Sequence, residues 1–352
     1  MNQQHGFFDE QDRLNKLSLQ GDPLERLNAA VDWEMFRSQL QKCFKKEPKG
    51  PGGRPPYDYV MMFKVLILQR LYNLSDEQMQ YQILDRLSFQ RFLGQGLHSD
   101  VPDEKTIRLF REVLTKRGVI EKLFDRYRAH LEKKGLITNA GSIIDASFVE
   151  VPRQRNSREE NATIKEGKIP EDWKDDPAKL RQKDTEARWT KQNEETHYGY
   201  KDHVKVDTDS KLIKTYEVTD ASVHDSQVLV ELLEKKDADT ELYADSAYRS
   251  AQIEQTLQKR RVRSRIHEKA HRNRPLTKAQ MRSNRAKSRI RARVEHVFAQ
   301  ITNCVKGFCI RSIGILRARS IIGLMNLAYN ILRSVYLQRA YSALKRTERA
   351  KE

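Results

Sequence analysis

The ten residues 142–151, SIIDASFVEV, decide the fold prediction, because the sequence pattern changes there. Upstream, apolar residues recur with the 3.6-residue period of helices, whereas here β-branched and aromatic residues crowd into a short run that is typical of a strand. Asp145 lies inside the apolar part of this run, where an ionised carboxylate is costly unless it is paired or bound to a metal. Asp145 is therefore the first candidate site residue, while Glu150, near the end of the strand, is more simply a solvated residue.

Further strands and helices follow in a regular order. Strand character returns at residues 198–207 and 212–219, on either side of a turn at 209–211. The pattern then predicts helix 225–235, strand 240–244, helix 250–259, strand 261–266, and helices around 285–302 and 318–337. Three consecutive strands followed by alternating helices and strands indicate an α/β fold, a mixed sheet flanked by helices in the order of the ribonuclease H fold.

A highly charged segment interrupts that order at residues 152–196. It holds 11 basic and 11 acidic residues among 45, with few aliphatic ones. We interpret it as a solvated insertion that is partly helical or disordered. Its Trp173 and Trp189 are expected to anchor the segment to the core, and the alternative is that they stack on a nucleic-acid base.

The region before the strands is helical. Periodicity and capping signals predict helices over residues 59–73, 76–87, 104–116 and 119–134. Short helices joined by tight turns suit a helix-turn-helix-like DNA-binding domain, although any small helical domain has the same pattern. The basic, Gly/Pro-rich stretch 45–57 is either a linker or an arm that contacts phosphates. The expected domains are an arm and linker at 1–50, a helical domain at 51–136, a catalytic domain at 137–340 and a basic tail at 341–352.

The bulk composition limits the class of protein. The 352 residues include 66 Lys or Arg and 49 Asp or Glu, a net charge of +17 that favours a polyanionic partner. A basic ribosomal or membrane-surface protein would have a charge of the same sign. Three scattered cysteines exclude a disulfide scaffold and lack the spacing of a zinc site. No signal-like or bilayer-spanning apolar run is present, so we expect a cytoplasmic protein without membrane contact.

Two further acids stand where chemistry is expected. Asp245 ends the short strand in ELYADSAY, and catalytic groups gather near strand ends in sheets of this kind. Glu295 follows Arg291 by four residues in SRIRARVEHVF, so the two share a helix face and can form an ion pair. Between residues 259 and 294 there are 15 Lys or Arg and one acid, so Glu295 is nearly alone in a basic field. The alternatives are a turn or cap for Asp245 and a plain surface salt bridge for Glu295.

Three carboxylates on separate elements are what a two-metal phosphoryl-transfer site requires. Carboxylate oxygens suit Mg²⁺ or Mn²⁺, which also bind substrate phosphate. Two such ions, ~4 Å apart, activate the attacking oxygen and stabilise the leaving one in an in-line displacement. We therefore expect Asp145, Asp245 and Glu295 to be catalytic and to hold two Mg²⁺ or Mn²⁺ ions.

At these residues the sequence resembles the DDE transposases of bacterial insertion sequences, specifically the insertion-sequence-five family. The resemblance covers most of the chain, from GRPPYDYVMMFKVLILQRLYNLSDEQM in the helical region and IIDASFVEVP at the first Asp. It continues through HYGYKDHVKVD, TDASVHDSQ and LYADSAYRS to RARVEHVF and LMNLAYNILR. Each motif is weak alone, but their order and the 100- and 50-residue spacings of the acids make the combination specific.

The resemblance implies that Asp145, Asp245 and Glu295 are the metal ligands and that Arg291 matches the arginine that precedes the glutamate. Two positions depart from the related signature, because Ser288 replaces a tyrosine and Thr302 replaces a lysine. Lys306 is our candidate for the phosphate contact of that lysine. The expected ligands of DNA phosphates are Arg291, Arg293, Arg289, Lys306, Lys201, His203, Arg249 and Arg54.

The same resemblance implies an enzyme that binds the terminal inverted repeats of its insertion sequence, cleaves a phosphodiester and joins the 3′-hydroxyl to target DNA. It also implies a homodimer on double-stranded DNA and a bacterial, nucleoid-associated location. The alternatives are a nuclease of the same fold without strand transfer and a non-catalytic DNA-binding repressor. Four histidines near the acids are expected to pack or to form hydrogen bonds rather than to act directly: His197, His203, His224 and His296.

Overall fold

The computed structural model describes residues 9–44, 55–192, 194–270, 272, 274–305 and 309–349, and the chain forms two units. One unit comprises Met1–Arg126 together with Ile331–Glu352, and the other comprises Tyr127–Asn330. In their described parts, the first unit is helical and the second contains a sheet. Over the same described residues, no helix is both long and apolar enough to cross a membrane.

The described helices of the first unit confirm most of the predicted ones. They are α1 (Asp9–Leu19), α2 (Pro23–Ala30), α3 (Arg37–Phe44), α4 (Tyr59–Tyr72), α5 (Asp76–Asp85), α6 (Leu87–Leu93) and α7 (Glu104–Lys116), and α8 (Val119–Lys133) crosses the division. The predicted helix 76–87 ends earlier than expected, because Arg86 adopts an extended backbone between α5 and α6.

Local side-chain contacts explain where these helices begin. Ser75 and Gln78 form a capping box at α5, in which each side chain accepts a hydrogen bond from the backbone N–H of the other. Asp103 caps α7 by accepting from the Thr106 N–H at 2.7 Å. Both caps use the residues that the sequence pattern indicates.

Residues 9–44 are helical, which corrects the expectation of an N-terminal arm over 1–50. Trp33 and Phe36 pack against Phe63 of α4, with ring centroids 6.3 and 4.9 Å apart. Helices of this length span only two or three turns and bury few residues each, which leaves little periodic signal in the sequence. The stretch 45–54 lies outside the described residues, and the linker-or-arm interpretation of 45–57 stays a prediction there.

The second unit holds a six-stranded mixed sheet. Its strands are β1 (Gly141–Glu150), β2 (Arg188–Gln192), β3 (Glu195–Asp207), β4 (Ile213–Asp220), β5 (Glu241–Tyr243) and β6 (Arg263–Ser264). β3 pairs antiparallel with β1, β2 and β4, while β1, β5 and β6 run parallel. The order β4–β3–β1–β5–β6 confirms the predicted mixed sheet of the ribonuclease H-like type.

Helices cover both faces of this sheet. α12 (Asp225–Leu232) and α13 (Ala251–Lys259) pack on one face, and α14 (Lys278–Val305) lies on the other. The remaining helices are α9 (Arg158–Lys165), α10 (Glu171–Lys174) and α11 (Pro177–Gln182) in the charged segment, and α15 (Ile315–Arg349), whose residues from Ile331 onward belong to the first unit. Ile144 and Leu242 point into a buried cluster with residues of α12 and α13. Because side chains alternate along a strand, Asp145 points to the opposite face, where Arg291 of α14 contacts it.

Two buried asparagines fasten α15 to the sheet within the second unit. Asn330 accepts from the Ile213 N–H and donates to the Ile213 carbonyl, both at 2.9 Å, as a neighbouring strand would. Asn326, one turn earlier, donates to Asp202 Oδ1 at 3.1 Å. In the sequence these residues only interrupt an apolar helix, but both supply hydrogen bonds to strands that the helix covers.

The charged segment 152–196 is folded in its described part, so of the two alternatives for this solvated insertion, partly helical or disordered, the structure favours the first. It contributes α9, α10, α11 and β2, so its predicted helical character is confirmed. Trp173 is fully buried and donates from Nε1 to Glu160 at 2.7 Å, as an anchor would. Trp189 remains exposed on β2, and its stacking on a base stays a prediction.

Asp184 links this segment to the rest of the second unit, beside the pairing of β2 with β3. Its buried carboxylate accepts from the Tyr200 hydroxyl at 2.7 Å and from the Gly314 N–H at 3.1 Å. Burial raises the pKa of Tyr200, and the charge of Asp184 raises it further, so the hydroxyl stays a donor. Tyr200 and Gly314 lie 16 and 130 residues from Asp184 along the chain. The number of charged residues in the segment does not predict such distant contacts.

Candidate active site

Two carboxylates belong to neighbouring parallel strands: Asp145 lies within β1, and Asp245 follows the end of β5 by two residues. The register of β1 and β5 places Ile143 beside Tyr243. Asp145 and Asp245 each come two residues later, so continuing that register beyond β5 places them at the same level and on the same face of the sheet. The charge of Asp245 also acts on the Asp145 carboxylate, as expected for neighbours. The 100-residue spacing seen in the sequence is therefore the offset of two paired strands.

Asp145 is the more enclosed of these two acids. Its Oδ1 accepts from the Ala146 N–H at 2.9 Å, and its Oδ2 accepts from Arg291 Nη1 at 2.8 Å. Burial raises the pKa of Asp145 to about 6, the Arg291 charge opposes this rise, and the Asp245 charge adds to it. Further positive charge at this point would favour the ionised carboxylate.

Asp245 has a local role in the backbone as well. Its Oδ1 accepts from the Ala247 N–H at 2.8 Å and so caps the 3-10 turn Ser246–Tyr248. Among the described residues, no hydrogen bond reaches its Oδ2. The capping role named above as the alternative for Asp245 is therefore present, but it uses only one of the two carboxylate oxygens.

Arg291 links the first acid to the third. While Nη1 contacts Asp145, Nη2 donates to Glu295 Oε1 at 3.2 Å, one turn further along α14. The Glu295 side chain is 63% exposed, so it lies at the mouth of the site rather than in its floor. The ion pair predicted from the four-residue spacing is confirmed, and the same guanidinium also holds Asp145.

The donor set fits a hard divalent cation, although its side chains are not gathered around one point. Within the described part of the chain, no three His, Cys, Asp or Glu side chains are grouped to hold a metal ion. Arg291 instead supplies the positive charge between Asp145 and Glu295. Carboxylate oxygens are what Mg²⁺ and Mn²⁺ prefer, and a cation would neutralise the like charges of Asp145 and Asp245.

The predicted phosphate ligands on α14 differ in their freedom to bind. Arg289 is exposed. Arg293 donates to the Thr208 carbonyl at 2.6 Å and lies 3.5 Å from Asp209, so part of its hydrogen-bonding capacity is used. Arg54 and Lys306 lie outside the described residues, and their phosphate contacts stay predictions.

The structure gives three other predicted phosphate ligands different partners. Lys201 is buried and donates to Asp225 and to the Val223 carbonyl, both at 2.8 Å. His203 has no exposed surface, and burial lowers its pKa to about 4, so it is a neutral core residue. Arg249 pairs with Glu268 at 2.9 Å. The burial of Lys201 and His203 contradicts their predicted phosphate contacts. A basic residue type does not reveal whether the fold covers it.

Three of the four expected histidines pack or form hydrogen bonds as predicted. His197 stacks on Phe148 with ring centroids 4.0 Å apart. His203 Nε2 lies 2.9 Å from the Thr219 hydroxyl, and His224 caps α12. His296 is exposed on α14.

A fifth histidine, His267, lies beside the end of β5, where Asp245 follows, and is absent from the sequence-based expectations. Its N–H donates to the carbonyl of Ala244, the residue before Asp245, at 3.2 Å. Its Nε2 lies 3.4 Å from Ser288 Oγ on α14. The available signal was its position directly after the last predicted strand, at the end where the acids lie.

Comparison with known proteins bears on the same residues. Residues 138–331 match the family described as "Transposase DDE domain", which covers more than half of the chain. Residues 11–113 match the family described as "Transposase domain (DUF772)". Among solved structures, the chain is similar to one titled "Cryo-EM structure of piggyBac transposase synaptic complex with hairpin DNA", at 12% identity and a TM-score of 0.44. That similarity covers 90% of this chain and 73% of the other.

Proposed function

The chain belongs to the DDE transposase family, and on that premise we propose that it moves an insertion sequence of the insertion-sequence-five group. It binds the terminal inverted repeats of that element as double-stranded DNA. It then hydrolyses a phosphodiester at the element's end and joins the 3′-hydroxyl to target DNA.

The main observation behind this proposal is the arrangement of the three carboxylates in the fold. Asp145 and Asp245 share a register position on adjacent parallel strands, and Arg291 ties Asp145 to Glu295 across the site. Residues 100 and 50 positions apart in the sequence thereby face one region. This supports a role for all three carboxylates in the same reaction.

The three acids would hold two Mg²⁺ or Mn²⁺ ions. When bound, such ions lower the pKa of the attacking water or hydroxyl and stabilise the leaving oxygen. Asp245 offers the oxygen that does not cap the backbone, and Asp145 offers a carboxylate whose burial disfavours charge without a cation. Arg291, with its planar fork of donors, neutralises either a carboxylate or a phosphate oxygen.

The basic residues of α14 provide the DNA surface of the second unit. Arg282, Arg285 and Arg289 are exposed on this helix and are available to phosphates. The helices of the first unit are the second candidate for binding the terminal repeats, as a helix-turn-helix-like domain would do. Joining two ends of one element requires two active sites, so we propose a homodimer on DNA, which analytical ultracentrifugation of the protein–DNA complex would detect.

A strand-transfer assay tests this function against its two alternatives. The reaction contains a duplex with the terminal repeat taken from the DNA that flanks the gene, a free 3′-hydroxyl, Mg²⁺ and a supercoiled plasmid. Joined product supports a transposase, and cleavage without joining supports a nuclease of the same fold. Binding without either product supports a repressor.

A further inference from the structure

Polar residues form a row across three neighbouring parallel strands, within β1 and just beyond the ends of β5 and β6, and His267 is its third member. The pairing of β5 with β6 places Glu241 beside Arg263, an offset of 22 residues. Continued along both strands, that offset brings residue 245 beside residue 267. The backbone supports this continuation, since the N–H groups of residues 263, 265 and 267 donate in turn to the carbonyls of residues 240, 242 and 244. Asp145, Asp245 and His267 therefore occupy one level of β1, β5 and the extension of β6.

The segment that carries His267 is held against α14 on both sides. Before it, the Ile266 carbonyl accepts from Lys287 Nζ at 2.8 Å. After it, Glu268 exchanges two backbone hydrogen bonds with the Asn284 side chain, at 2.9 and 3.0 Å. Such fastening fixes the imidazole relative to the helix that also carries Arg291 and Glu295.

Ser288 and Arg291 face the row from α14, one turn apart. Ser288 Oγ lies 3.4 Å from His267 Nε2, and Arg291 contacts Asp145. Burial lowers the pKa of His267, and the charges of Arg291 and Lys287 lower it further against the opposing effect of Asp245. A neutral imidazole carries one proton, and a hydroxyl that donates to Nε2 places that proton on Nδ1.

From this arrangement, which rests on the proposed function, we propose that His267 is a substrate-contacting residue whose Nδ1–H donates to an oxygen of the phosphate that is cleaved. Ser288 is its positioning residue, because its hydroxyl selects the tautomer. In this row, Asp145 and Asp245 offer carboxylates to cations, and His267 offers a neutral hydrogen-bond donor to the phosphate. Because Ser288 stands where the related signature has a tyrosine, the histidine supplies a polar group to this side of the site.

Single-turnover cleavage of a duplex carrying the terminal repeat, with Mg²⁺, tests this role. His267→Ala should cut about 10- to 100-fold more slowly than wild type, the range expected for one hydrogen bond to a charged group. His267→Asn, whose amide N–H lies near the place of Nδ1–H, should recover most of the rate. Ser288→Ala should lose less than His267→Ala, and His224→Asn, which keeps the cap of α12, should match wild type.

A second readout separates phosphate contact from a structural effect. The melting temperature and its increase on adding Mg²⁺ should be the same for His267→Ala and wild type, since the acids are untouched. Loss of the Mg²⁺ effect, or equal rates for the Ala and Asn variants, would overturn the proposal. If wild type cuts and His267→Ala cuts equally fast, only this inference fails. If wild type does not cut, the proposed function fails with it.

Discussion

Arg291 Nη1 lies 2.8 Å from Asp145 Oδ2, and this contact joins α14 to the first strand of the sheet across 146 residues of sequence. The other arm of the guanidinium reaches Glu295, so a single side chain balances two of the three acids. The site therefore carries an internal positive charge before any metal or DNA arrives. The contribution of this charge to the site can be measured as the change in the rate of DNA cleavage when Arg291 is replaced.

We expect Arg291→Ala to slow DNA cleavage by about 10- to 100-fold, because the acids lose a charged hydrogen-bond donor. Arg291→Lys should recover part of the rate, since a single ammonium cannot serve both carboxylates as a guanidinium fork does. Rates are compared with those of Arg261→Ala, whose arginine pairs with Asp239 on the exposed surface. Full activity of Arg291→Ala would remove Arg291 from the site.

Asp202 should make the protein's stability depend on pH. It is fully buried, burial raises its pKa to about 7 and the Asn326 hydrogen bond opposes that rise. Asp202 Oδ2 and Asn326 Oδ1 both lack partners among the described residues, and a proton on Oδ2 supplies a donor between them. Since the pKa of Asp202 in the folded protein lies above its ordinary value of 3.8, the contribution is complete below pH about 4 and is lost as the pH rises through about 7.

Asp202→Asn tests this linkage, because an amide cannot ionise. The variant should unfold near the wild-type temperature at pH 5 and at a higher temperature at pH 8, with a difference on the order of 3 kcal/mol between the two conditions. Thermal unfolding at both pH values provides the comparison. A difference between variant and wild type that does not change with pH would contradict the account.

Asp184→Ala should destabilise the folded insertion by about 2–4 kcal/mol, because it leaves the Tyr200 hydroxyl and buried N–H groups without an acceptor. The segment 152–196 should then be cut faster by proteases, as followed by limited proteolysis and mass spectrometry. Glu171→Ala is the matched control, since it removes an exposed acid that pairs only with Lys174 in the same segment. Equal protease resistance of the two variants would mean that Asp184 is not the link.

The exposed arginines of α14 should govern how DNA binding depends on salt. Replacing Arg282, Arg285 and Arg289 together by Gln should lower the salt slope of log Kd by about 3 if each contacts one phosphate. The same loss of charge at Lys165, Lys168 and Lys174 on the insertion should change the slope less. Equal changes for both triple variants would show that net charge, rather than α14, sets the affinity.

Much of the fold could be predicted from sequence because it follows local patterns. The helices from residue 59 to 133 and the strands that carry Asp145 and Asp245 appear where periodicity and β-branched residues place them. The Arg291–Glu295 pair also follows from helical spacing alone. Each of these depends on neighbours within a few residues.

The remaining features depend on long-range pairing that no local pattern encodes. His267 reaches the acids only through the register of β5 with β6, and Lys201 is buried by its ion pair with Asp225 on α12. Trp173 and Asp184 give a charged segment a fixed structure through one buried ring and one buried carboxylate. A single sequence gives no sign of such distant partners.

The central claim is that Asp145, Asp245 and Glu295 together bind the metal that cleaves DNA. The most direct measurement is cleavage of a labelled duplex carrying the terminal repeat, by wild type and by Asp145→Asn, Asp245→Asn and Glu295→Gln, with DNA binding and the Mg²⁺-induced change in melting temperature recorded in parallel. The account predicts that wild type cuts only with a divalent ion, and that each variant binds the duplex but does not cut it. It also predicts a reduced Mg²⁺ effect on melting in every variant. Cleavage at the wild-type rate by any of the three variants would contradict the assignment of that acid.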